Sequence, residues 1–139
     1  MRSNSYVIKY CRSIAKMYGC KVEFTNKICG GQFWVGEGRI TVSTNGDQSE
    51  IIDVFCHELA HFLNACNDKF PLYHNYQYLY LVGLFKNKKK LCAYAHRAEV
   101  YTEKVGKRLC KTYFPGTLYR AFYRTGRKKS INSIIAYWG

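Results

Sequence analysis

The chain has 139 residues, of which 47% are hydrophobic, and a formal net charge of +13. This composition excludes an intrinsically disordered chain, and the length fits one compact domain with a single core. No apolar run reaches the roughly 18 residues of a membrane-spanning helix.

Residues 4–18 place Tyr6, Ile8, Cys11, Ile14 and Met17 three or four apart, which predicts a first helix ending at Gly19. Lys9, Arg12 and Lys16 interrupt this stretch, so it lacks the continuous apolar core of a signal peptide. Three short alternating runs follow: Lys21–Thr25, Gln32–Gly36 and Arg39–Thr44. Glycine-rich turns separate them, as expected of a small meander sheet. Ser43–Asp47 offers several helix caps, and a second helix is predicted from Gln48 to Asn64. Its core face would carry Ile51, Phe55, Leu59 and Phe62. A loop around Asn67–Pro71 leads to an aromatic-rich helical stretch, Leu72–Phe85, and a polar turn, Lys86–Lys90. A long helix is expected over Leu91–Tyr113, with Leu91, Ala95, Ala98, Thr102, Val105 and Leu109 on one stripe and Phe114-Pro115-Gly116 as its stop. The tail holds a short helical segment near Leu118–Tyr123, a basic cluster Arg124–Lys129 and an apolar ending, Ile131–Trp138. The expected fold class is α+β, with one domain over residues 1–139 whose basic part begins at about residue 86.

The charge is unevenly placed. Residues 1–85 hold 8 Lys/Arg against 7 Asp/Glu, and residues 86–139 hold 14 against 2. Such asymmetry points to a polyanionic partner, DNA or RNA first. Lys88, Lys89, Lys90, Arg127, Lys128 and Lys129 are the candidate phosphate contacts, with Tyr113, Tyr119, Phe122 and Tyr123 nearby to stack bases. Seven cysteines with no Cys-x-x-Cys pair fit reduced thiols and a cytoplasmic location.

The chemistry lies in His57-Glu58-Leu59-Ala60-His61, an HExxH motif on the second predicted helix. Residues four apart share a helix face, so both imidazoles can grip one metal ion. Glu58 can then serve as general base toward a water activated by zinc. A catalytic zinc takes three protein ligands and keeps one position open. Asn64 and Asn67 stand where HExxHxxGxxH requires Gly and His, so that ligand set is excluded. Two residues compete for the third place: Glu99, on the long helix, and His74, in Tyr73-His74-Asn75-Tyr76. His74 and His96 are also candidates for transition-state stabilisation or support of the ligands. Asp53, one turn before His57, is either an orienting group for that histidine or a solvated helix acid.

A helix, a small sheet and then a helix bearing HELAH resemble the minimal zincin-like metallopeptidase domain, over about residues 1–112. Two subgroups are similar. In the ImmA/IrrE-like small gluzincins, a following helix carries a glutamate ligand as E-x-x-A; here Glu99-Val100-Tyr101-Thr102 has threonine in the last place. In SprT-like proteases the third ligand is a histidine in an H-G-x-x-[FW] context; here His74-Asn75-Tyr76-Gln77-Tyr78 lacks the glycine and keeps the aromatic. The resemblance implies a zinc-dependent peptidase with one Zn2+ per chain, acting on a protein or peptide substrate. It also implies association with DNA-attached proteins or transcriptional repressors. The small size suits a phage or mobile-element protein. The alternative is a non-catalytic nucleic-acid-binding or inhibitor module that retains the zincin fold. Strand Arg39–Thr44 or Gln32–Gly36 would accept an extended substrate by edge pairing.

Overall fold

The computed structural model describes residues 4–34, 36–67 and 88–120. Among them the fold is α+β. Helix α1 (Ser5–Met17) is followed by strands β1 (Lys21–Thr25), β2 (Gly31–Trp34) and β3 (Arg39–Ser43), then helices α2 (Gln48–Cys66) and α3 (Lys88–Tyr113). The expected helix over Leu72–Phe85, His74 and the tail residues Arg127, Lys128 and Lys129 lie outside the described residues.

The sheet is not a meander. Its order is β1-β3-β2, with β1 parallel to β3 and β2 antiparallel to it. Burial explains the arrangement. Ile40, Thr41, Val42 and Ser43 of β3 are all buried, whereas β1 and β2 are only half-buried or exposed. The strand with the most to hide takes the centre, and the two partly wetted strands become edges. Arg39–Thr44 is therefore paired on both sides over β3 and cannot accept a substrate strand. β2 remains an edge.

The inner face of the sheet is set by the period of two. Gly31 pairs with Val42 and Phe33 with Ile40, and this face meets α2. α1 also packs on α2, through Val7, Cys11, Ile14 and Ala15. That stripe is offset from the expected one: Tyr6 is 71% and Met17 63% exposed.

Asp47 caps α2, its Oδ1 accepting from the Glu50 backbone N–H at 2.9 Å. Ile51, Phe55, Leu59 and Phe62 are buried as expected, yet so is every residue from Ile51 to Phe62. α2 is not a surface helix with one apolar face. The sheet and α1 cover one side, and α3 covers the side that carries the histidines. α3 presents Ala95, Ala98, Glu99, Thr102, Glu103, Gly106, Leu109 and Cys110 inward. Small residues at 95, 98 and 106 let the helices approach closely, and two acids are sealed between them.

A candidate metal centre between two helices

His57 and His61 are four residues apart on α2, and Glu99 comes from the middle of α3. The helix packing brings them together. His57 Nε2 lies 3.3 Å from Glu99 Oε2, and His61 Nε2 lies 3.3 Å from Glu99 Oε1. All three ligand atoms fall within 4.8 Å of one another. The imidazoles stand nearly perpendicular, at 85°, with centroids 4.8 Å apart. His57 is fully buried, Glu99 is 2% exposed and His61 is 9% exposed.

This donor set fits a metal ion. Two nitrogens and a carboxylate suit zinc and related transition metals. Ligand atoms at adjacent corners of a tetrahedron with bonds of about 2.1 Å stand about 3.4 Å apart, close to the two separations observed. The group His57, His61 and Glu99 can hold a metal ion.

Glu103 was not singled out by the motif, and it completes the first histidine's surroundings. Its Oε1 makes a short contact with His57 Nδ1. An acceptor on Nδ1 fixes the proton there and aims Nε2 at Glu99. The spacing held the signal: Glu99 and Glu103 are four apart on α3, as His57 and His61 are on α2. Tyr119 donates its hydroxyl to the same Glu103 oxygen at 2.9 Å. It passes over Gly106, where a Cβ would stand 2.7 Å from the Tyr119 hydroxyl. Asp53 does not orient His57 and is not solvated. It is 6% exposed and accepts from the Arg120 backbone N–H at 3.2 Å.

Glu58 is 2% exposed. β2 lies directly against it: a Cβ on Gly31 would meet Val54 Cγ1 at 2.6 Å and Glu58 Cγ at 2.7 Å. Next to Gly31 on the same face of β2, Phe33 lies parallel to the His61 ring, with 6.4 Å between centroids. Thr102 takes the place of the alanine in E-x-x-A. Its hydroxyl donates to Ala98 O at 2.8 Å and accepts from Asn64 Nδ2 at 3.0 Å, which ties the end of α2 to α3.

No protein-family model, curated protein or solved structure matches this chain. The site therefore rests on its own geometry and electrostatics. Burial pushes the Glu58 carboxyl above its usual range, with the His57 and His61 imidazoles pulling the other way. Burial alone would lower His57, but Glu103 and Glu99 reverse this and raise it to about 10. Burial would raise Glu99, and the His61 and His57 imidazoles instead hold it well below the carboxylate range. Two acids with opposite shifts beside the His57–His61 pair suit two roles, a proton carrier and a permanently charged group.

The remaining sequence candidates are placed as follows. His96 is exposed on α3 and stands outside the three-ligand group. Lys88, Lys89 and Lys90 form the first turn of α3. Tyr119 is turned inward on Glu103, and the Tyr113 hydroxyl is hydrogen-bonded to that of Tyr18 at 2.5 Å.

Proposed function

We propose that the protein is a zinc metallopeptidase in which His57, His61 and Glu99 hold Zn2+ and Glu58 is the general base. The observation that carries this reading is the buried His57–His61–Glu99 group with Glu58 sealed beside it. Among the described residues the group has three members, the number of protein ligands that a catalytic zinc takes.

Zinc held there would supply a Lewis acid that polarises the scissile carbonyl and acidifies water. The chain's own residues would do the rest. Glu58, kept receptive to protons by burial, takes one from the attacking water and delivers it to the departing amine. Glu103 holds the His57 ring so that Nε2 stays directed at the ion. Edge strand β2 runs past Glu58 and His61 through Gly31 and Phe33, so a peptide added to it would lie beside the general base.

The test is cleavage of a mixed-sequence fluorogenic peptide library by the zinc-loaded chain, with Glu58→Gln as the comparison. Glu58→Gln should keep its zinc and lose activity by a factor of about 100 to 10,000. Full activity in Glu58→Gln, or no cleavage by a stoichiometrically loaded wild type, would overturn the reading.

A further inference from the structure

Helix α3 divides its charges by face. Both of its acids, Glu99 and Glu103, are buried against α2. Lys104, Lys107, Arg108 and Lys111 are exposed. At about 100° per residue these four fall within an arc of about 100°, opposite the buried face, and they run for about 10 Å along the axis. None of the four is ion-paired among the described residues. The helix also opens with Lys88, Lys89 and Lys90.

We propose that this ridge of Lys104, Lys107, Arg108 and Lys111 binds the phosphate backbone of duplex DNA without sequence preference. The surroundings select the occupant. A helix that lies on a membrane needs an apolar face to insert, and the apolar face of α3 is already spent on α2. A protein partner would need apolar or aromatic groups at the centre of the contact. Within the ridge, Val105 and Gly106 are drawn inward, leaving cations and Thr112 outside. A row of cations with no apolar centre matches a polymer recognised by its charge alone.

The structure also alters which nucleic acid is expected. Tyr113 and Tyr119 are engaged with Tyr18 and Glu103, so neither is presented for base stacking. With those two rings engaged, and Phe122 and Tyr123 outside the described residues, the charge density of the ridge decides, and a duplex carries about one charge per 1.7 Å. The ridge and the metal centre lie on opposite faces of α3, so the backbone would run behind the centre. DNA is then a docking partner and not a substrate. This surface goes beyond the peptidase reading and does not depend on it.

The test is fluorescence anisotropy with labelled duplex and single-stranded DNA of mixed sequence, using the zinc-loaded full chain. Four phosphate contacts predict a fall in duplex affinity of about a hundredfold between about 50 and about 200 mM salt. Changing Lys104→Gln, Lys107→Gln, Arg108→Gln and Lys111→Gln together should weaken duplex binding at least about tenfold at low salt and lower the log–log salt slope by about 3. Zinc content and melting temperature should stay unchanged. Lys9→Gln with Lys16→Gln, on the exposed side of α1, serves as the control and should have little effect. Duplex binding by the ridge variant equal to that of wild type would overturn the proposal. So would absence of duplex binding at low salt, tighter binding of single strands, or equal affinity for polyglutamate or phosphatidylserine vesicles. Zinc loading and peptide cleavage, followed in the same samples, report separately on the metal centre.

Discussion

Tyr119 and His57 share one carboxylate oxygen: Glu103 Oε1 accepts from the Tyr119 hydroxyl at 2.9 Å and faces His57 Nδ1. A residue six positions beyond the end of α3 thus reaches the candidate metal centre through a single buried acid. Removing the hydroxyl in Tyr119→Phe should keep the fold and loosen the hold on His57. Zinc affinity should fall several-fold. Glu103→Ala should cost more, about 10- to 100-fold. Competition against a chromophoric chelator measures both. Unchanged affinity in Glu103→Ala would remove its positioning role.

The three-ligand group predicts one zinc per chain by metal analysis. Glu99→Ala should abolish stoichiometric binding as fully as His57→Ala or His61→Ala does. Chelation of the wild type should lower the melting temperature by about 10 °C, because an ion present at about 1,000 times its Kd stabilises the folded chain by about 4 kcal/mol. A Glu99→Ala chain that retained a full zinc would move the third ligand elsewhere.

Gly31 is the contact point between β2 and the general base. A methyl group there would clash with Val54 Cγ1, Glu58 Cγ and, at 3.0 Å, Thr41 O. Val54 is β-branched and Thr41 O is backbone, so neither yields easily. Gly31→Ala should destabilise the fold by about 1–3 kcal/mol. It should also displace Glu58, so peptide cleavage should fall further than the zinc content does. Denaturant unfolding with parallel metal analysis separates the two effects.

Asp53 provides a pH dependence. Burial raises its carboxyl to about 6 from 3.8, although the Arg120 backbone N–H pulls the other way. A carboxyl raised in the folded state is favoured when neutral. The fold therefore loses stability as pH climbs from about 4 to about 6 and does not regain it above that window. Asp53→Asn removes this titration. It should match wild type at pH near 4 and exceed it at pH near 7, as read from thermal melts at both values.

HELAH was legible because its geometry is local: a spacing of four on a helix puts both imidazoles on one face whatever surrounds them. Glu99 was legible as one of two acids in a basic third of the chain, and the other is Glu103. Its part depended on which face of α3 meets α2, and that is a tertiary fact. The order of the sheet was hidden for a related reason. Alternation marks strands but not neighbours, and β3 carries Thr41 and Ser43 at buried positions that read as solvent-facing. In α1, Tyr6 and Met17 look like core residues by type, while the small Ala15 makes the contact instead.

The central place of β3 also sets the order in which the chain can assemble. Among the described strands β1 pairs with β3 alone, so its partner begins at Arg39, beyond β2. Among the described residues the hairpin β2–β3 is the sheet's contact between sequence neighbours, which favours its early formation, and β1 docks on its far side. The candidate metal centre draws on a longer-range contact still, since Glu99 follows His61 by a long stretch of chain. An ion held by His57, His61 and Glu99 would then act as a latch between two helices far apart in sequence.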